Sequence, residues 1–219
     1  MSLCKRVVAR IDVKGAKLIK GIKFEGLRVI GDAREAANKY GLLGIDEIFY
    51  SDAVASLYGR NGLADILKNS SKESFIPITA GGGIRTVEDG RRLLANGADK
   101  LAINTQAIKN PSLIDDLAET FGKQCIVISI QARRSFNGKS WDVMVESGRE
   151  RSTKDLLDWI IEVQKRGAGE IFITSVDQDG TGKGPDFELI KTIDPLVNVP
   201  LVVGGGISNT DQIKKIFKD

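Results

Sequence analysis

The 219-residue sequence contains no histidine. That absence excludes imidazole bases, Ser-His-Asp triads and His-ligated zinc. Acid–base chemistry is left to carboxylates, lysines and cysteines. Cysteine is scarce too: Cys4 and Cys125 allow at most one disulfide, offer no metal-ligand spacing, and suit a reducing cytoplasm. No apolar run approaches the ~18 residues that a membrane span needs. The opening Met1–Arg6 carries basic residues with no apolar signal-peptide core behind them. Charge of one sign is also lacking, because 32 cationic and 29 anionic side chains leave a net +3, which argues against a nucleic-acid surface. These absences predict a soluble cytoplasmic protein with no metal and no cofactor.

What is present is an alternation. Short β-branched runs at Arg6–Asp12, Glu47–Asp52, Ile76–Ala80, Lys100–Ile103, Cys125–Gln131, Glu170–Thr174 and Leu201–Val203 read as strands. Amphipathic segments lie between them. Asp32 is placed to cap a helix running to about Leu43. Thr86–Asn96 reads as a helix closed by Gly97, and Pro111–Phe121 opens with proline in its first turn. Ser152–Arg166, Phe187–Thr192 and Asn209–Lys218 also read as helical. Two segments depart from the alternation. The Lys/Gly-rich stretch through Gly31 reads as a long loop, and Phe136–Gly148 as a hairpin excursion turning at Asn137-Gly138. Seven near-continuous apolar strands between helices imply parallel βα units buried on both faces, either a doubly wound sheet or a closed barrel.

A repeat chooses the barrel. The segment GIDEIF from Gly44 matches GAGEIF from Gly167, and IPITAGGGI from Ile76 matches VPLVVGGGI from Val199. Both pairs lie 123 residues apart. Two matches at one offset predict an α/β protein, a (β/α)8 barrel built from two homologous half-barrels, about 1–122 and 123–219, in a single domain. Two such halves need about 246 residues, close to the ~250 typical of the fold. The second half is short by one unit, so strand 8 and its helix are expected to be missing from these 219 residues. A longer natural chain, an unordered end and a completing partner all remain open.

In such barrels the reactive groups lie at the C-terminal strand ends. Those ends carry Asp12, Asp52, Gly81-Gly82-Gly83, Asn104-Thr105, Gln131, Thr174 and Gly204-Gly205-Gly206. Asp177 and Asp179 follow in a loop. Glycine triplets between strand and helix let backbone N–H groups cradle phosphate, and two at repeat-related positions point to a substrate with a phosphate at each end. Asp12 and Asp179, on opposite halves, are candidate proton carriers. Lys20 is a candidate phosphate clamp, and Asp52 a candidate to orient Lys20 or Asp12. The N-terminal strand ends carry Arg6, Glu47, Lys100 and Glu170. On spacing alone these read as charges that cap the apolar core.

The stretches IDVKGAKLIKG (11–21), IPITAGGGIRTVEDGRRLL (76–94), GADKLAINTQAIKNPSLI (97–114), FGKQCIV (121–127) and GAGEIFITSVDQDGTGKGPD (167–186) resemble the cyclase subunits of imidazole glycerol phosphate synthase, a phosphoribosyl-barrel family of histidine biosynthesis. The resemblance covers nearly the whole chain. It implies a glutaminase partner at the bottom face of the barrel, whose ammonia crosses the core. There it would meet a bis-phosphorylated phosphoribulosyl-formimino aminoimidazole carboxamide ribonucleotide, yielding imidazole glycerol phosphate and the aminoimidazole carboxamide ribonucleotide. It implies Asp12 as catalytic acid/base and Lys20 as a phosphate ligand. Gly82, Gly83, Asn104 and Thr105 would hold one phosphate and Asp179, Gly180 and Gly206 would help hold the other, with Asp52, Thr174 and Gly205 among the further phosphate or substrate contacts. Arg6, Glu47, Lys100 and Glu170 match a salt-bridged ammonia gate.

The departures are specific. Gln131 stands where the family carries its second catalytic aspartate, and a carboxamide neither takes nor gives a proton at neutral pH. Arg10 replaces a small cysteine, and Gly204 a serine. A retained gate beside an altered cyclase site raises an alternative: an ammonia-channelling paralogue that supplies amidino-group formation on a surface-polysaccharide sugar.

Overall fold

The computed structural model describes residues 5–55, 63–73 and 76–218. The Met1–Cys4 start, and with it Cys4, lies outside the described residues; Cys125 is a free thiol. The chain is an α/β protein, rich in parallel strand pairs, that divides into two compact units. The first comprises 1–19 and 28–101, the second 20–27 and 102–219.

The first unit is built on β1 (Val8–Lys14), β4 (Glu47–Asp52) and β5 (Ile78–Gly81), paired in parallel. Val8 sits opposite Glu47 and Asp12 opposite Ser51, and Ser51 in turn faces Gly81. The ladder is apolar because helices cover it: Ile11, Ile48, Tyr50 and Ile78 are at most 1% exposed. Helix α1 (Ala33–Leu42) starts where expected, with Asp32 Oδ1 accepting from the Arg34 and Glu35 amides at 3.0 and 3.4 Å. Helix α2 (Leu63–Glu73), absent from the elements expected from sequence, buries Leu63 and Leu67 and carries Ser70, 2.8 Å from the Tyr50 hydroxyl. Burial pushes the Tyr50 phenol up. Helix α3 (Val87–Ala95) starts in a capping box, Thr86 with Asp89, and ends before Gly97 at φ +105°.

The chain passes between units in β6 (Lys100–Ile103). The second unit then holds short α4 (Thr105–Lys109), α5 (Ser112–Phe121), and the parallel strands β7 (Ile126–Arg134), β10 (Glu170–Ser175) and β11 (Leu201–Gly204). Helices α6 (Leu156–Arg166), α7 (Phe187–Ile193) and α8 (Thr210–Lys218) complete it. The anticipated excursion is present: β7 turns through Gly138 into antiparallel β8 (Trp141–Val145). Arg134 anchors it, stacking 4.1 Å from the Trp141 ring and forking onto Glu188 at 3.0 and 2.7 Å. That contact raises the arginine and lowers the glutamate from their ordinary pKa values.

Two expectations are corrected. The stretch through Gly31 is not a loop but a hairpin, β2 (Lys17–Ile22) and β3 (Glu25–Asp32), turning at Lys23-Phe24. Both turn residues have positive φ, 54° and 63°, a conformation that turns usually assign to Gly or Asn, so the sequence signal was absent. Tertiary contacts impose it. The Lys23 amide donates to the Asp179 carbonyl at 2.8 Å, and Phe24 lies so close over Gly148 that a Cβ there would come within 3.1 Å. Ser152 is likewise not helical. Residues Glu150–Asp155 form β9, paired with β8, and α6 begins only where Asp155 caps the Leu157 and Asp158 amides at 2.8 and 3.1 Å.

Candidate functional site

In the first unit the N-terminal strand ends converge on Glu47, whose side chain is 2% exposed. Its Oε2 accepts from Arg6 at 2.6 Å, and its Oε1 from Thr79 Oγ1 at 2.6 Å. Lys100 Nζ reaches Oε1 at 2.7 Å and Oε2 at 2.9 Å. Arg6, Glu47 and Lys100, three of the four expected charges, therefore form one joined set, together with a hydroxyl that strand-start charges alone do not announce. Only the register reveals Thr79, which faces Phe49, two residues beyond Glu47 on the same face. The fourth, Glu170, begins β10 in the second unit, 6% exposed. It occupies the place of Glu47 in the repeat, 123 residues on.

At the other end of β1, Asp12 is 7% exposed, and its Oδ1 accepts from Arg10 Nε at 2.8 Å. Asp52 ends β4, with Oδ1 accepting from the Val54 amide at 3.0 Å. Gly82, at φ +110°, lies so tightly on Asp52 that a Cβ would come 2.7 Å from its carbonyl oxygen and 2.9 Å from its Cβ. Gly83 follows at φ +73°. A capping box follows the turn. Thr86 Oγ1 accepts from the Asp89 amide, and Asp89 Oδ2 accepts from the Arg85 and Thr86 amides at 3.0 and 3.2 Å. The Arg85 and Thr86 amides that Asp89 holds precede α3, and of the helix's own first amides the cap takes that of Asp89.

The second unit repeats that turn. Gly205, at φ +100°, packs on Ser175, whose carbonyl oxygen would lie 2.6 Å from a Cβ, and Gly206 follows at φ +81°. Ser175 is the repeat counterpart of Asp52, again 123 residues on. Gln131, Thr174 and Gly204 form one row across β7, β10 and β11. A Cβ at Gly204 would come 3.0 Å from the Phe172 ring, so the ring takes space that a serine would need. Lys20 Nζ reaches Asp179 Oδ1 at 3.4 Å, and Gly180 leaves room for the Gly21 carbonyl. Thr105 Oγ1 accepts from the Glu146 amide at 3.0 Å.

Two buried carboxamide oxygens, Asn104 Oδ1 and Gln131 Oε1, have no hydrogen-bond partner among the described residues. A buried acceptor left unpaired costs about 1–3 kcal/mol, so each presents a place for an N–H or O–H donor. A groove of about 380 Å³ lies elsewhere in this unit, between the hairpin tip at Phe24–Leu27 and the turn at Gly148-Arg149. None of the expected site residues lines it. Among the described residues no group of carboxylates and cysteines could hold a metal ion, and no helix is long and apolar enough to cross a membrane.

Comparison with known proteins matches residues 6–219 to the family described as histidine biosynthesis protein. The imidazole glycerol phosphate synthase subunit HisF of Legionella pneumophila is 52% identical over 207 residues, covering 94% of this chain and 97% of its own. The subunits of the same name from Dictyoglomus turgidum and Wolinella succinogenes are 44% and 46% identical, covering 99% and 98% of this chain and 85% of their own.

Proposed function

The chain belongs to the histidine biosynthesis protein family, alongside the HisF subunits of imidazole glycerol phosphate synthase, and on that premise we propose that it is a cyclase subunit fed by a glutaminase. Its substrate is then the bis-phosphorylated phosphoribulosyl-formimino aminoimidazole carboxamide ribonucleotide. Ammonia closes the imidazole ring, and the substrate splits into imidazole glycerol phosphate and the aminoimidazole carboxamide ribonucleotide. The observation that carries this reading is the duplicated glycine turn, Gly82-Gly83 on Asp52 and Gly205-Gly206 on Ser175, which suits a substrate with two phosphates. We assign Asp12 the proton transfers. Lys20, Asn104 and Thr105, with Thr174, Asp179 and Gly180, complete the phosphate contacts. The fold of this reading is the two-half (β/α)8 barrel, with six strands paired in parallel among the described residues, three in each unit.

The glutaminase is assigned to the face carrying the N-terminal strand ends, where Arg6, Glu47, Lys100 and Glu170 admit ammonia. Gln131 favours a second reading, the paralogue that passes ammonia to amidino-group formation on a surface-polysaccharide sugar. Its buried, unpartnered oxygen accepts a hydrogen bond from a donor but cannot carry a proton.

One assay separates the two. The chain is mixed with excess ammonium and the bis-phosphorylated substrate, and loss of substrate absorbance is followed. The cyclase reading expects turnover, raised roughly 10²–10⁴-fold by Gln131→Asp if the missing aspartate supplies an ordinary acid–base contribution. No turnover in either form sinks the cyclase reading and leaves the paralogue.

A further inference from the structure

We propose that Arg10 is a positioning residue for Asp12, fixing the carboxylate on which the proposed chemistry depends. The inference deepens the cyclase reading and rests on it for the role of Asp12. Arg10 and Asp12 stand at i and i+2 on β1, so both side chains leave the same face of the ladder. Arg10 Nε donates to Asp12 Oδ1 at 2.8 Å, with the two side chains 16% and 8% exposed. Neither partner comes from a loop: Arg10 is held opposite Phe49, and Asp12 opposite Ser51, in the parallel register with β4. The pleat therefore sets their spacing. A guanidinium is planar with its donors at fixed angles, so a bond through Nε sets the orientation of the carboxylate as well as its place. A carboxylate that must take and return protons gains from that fixity, because displacing a reacting group by about 1 Å costs roughly 10²-fold in rate. The need is sharper here, since Gln131 cannot share the proton traffic. A lysine at position 10 would keep the charge but lose the planar fork.

The test uses Arg10→Ala, Arg10→Gln and Arg10→Lys in the full chain, in the parent and Gln131→Asp backgrounds. kcat and KM are measured separately with excess ammonium. Arg10→Ala is expected to lower kcat roughly ten- to a hundred-fold while KM stays within about threefold. Arg10→Lys recovers part of the loss, and methylguanidine added to Arg10→Ala recovers about fivefold by refilling the vacated position. A kcat within about twofold of the parent, or a loss that neither lysine nor methylguanidine relieves, overturns the proposal. Arg10→Gln, which keeps a stem and an N–H donor, stands in where the alanine variant does not fold.

A second measurement needs no turnover. Carbodiimide coupling of Asp12 to glycinamide, read by peptide mass spectrometry, is expected to run about fivefold faster in Arg10→Ala and Arg10→Gln than in the parent or Arg10→Lys. Equal rates overturn the proposal whatever the kinetics show. Faster coupling without turnover in any form upholds the pairing and sinks the cyclase reading instead.

Discussion

At the residue scale, Glu47 shows how a charge is kept inside an apolar ladder. Its two oxygens receive Arg6, Lys100 and Thr79, so the desolvation of the carboxylate is offset by bonds from every side. Removing it leaves Lys100, 13% exposed, without that partner. Glu47→Ala is therefore expected to cost about 3–5 kcal/mol in urea unfolding. A loss under about 1 kcal/mol would mean that solvent screens the cluster as it does a surface pair. Arg6, Glu47 and Lys100 were legible as charges at strand starts. Thr79 was not, because threonine is an ordinary strand residue and only pairing with β4 brings its hydroxyl to Glu47. The sequence placed Asp12 at a strand end and marked Arg10 as unusual. Their bond follows from strand periodicity, once β1 is known to run on to Lys14.

At the scale of elements, caps and periodicity located most helices, while segments ordered by distant contacts were misread. The β2–β3 hairpin turns through two residues that favour no such turn, and partners far along the chain hold it. At Ser152 two polar residues competed to start α6; pairing with β8 drew Ser152 into a strand and left Asp155 as the cap. That helix carries an ionic clasp. Glu162 accepts from Lys154 at 2.6 Å and from Arg166 at 2.9 Å, and Arg166 reaches Asp115 of α5 at 2.6 Å. The Lys154 hydrogen bond, aided by Arg166, holds the Glu162 carboxyl below its ordinary value. A lowered folded pKa means that the unfolded chain takes up the proton first as pH falls. The clasp's contribution is thus present above the ordinary glutamate range near ~4.3 and is lost as pH falls through the folded value. Glu162→Gln is expected to be less stable than the parent at neutral pH by under about 1 kcal/mol, given partial exposure. The gap should close in acid; urea midpoints that differ equally at neutral and acid pH would contradict it.

For the whole molecule the 123-residue repeat is the governing fact, and it survives into backbone detail. Gly82 and Gly205 have φ values of +110° and +100° and close on repeat-related residues, Asp52 and Ser175. The Ile48 and Ile171 amides donate at 3.0 Å to the Pro77 and Pro200 carbonyls, again one repeat apart. Gly82→Ala and Gly205→Ala should consequently behave alike. Each combines a strained φ with a collision against backbone, so each is expected to lose about 2 kcal/mol or more, seen as a lower Tm. A large loss in one and none in the other would show that the two turns bear different loads. The sequence by itself determined the alternation of strands and helices, the duplication, and which glycines sit at strand ends, because periodicity, caps and repeats are written along one dimension. Only the tertiary structure decided which hydroxyl completes Glu47, that Lys23-Phe24 is a turn, and that Asn104 and Gln131 keep unpartnered oxygens. Those outcomes depend on contacts between residues distant in the chain, where packing outweighs local preference.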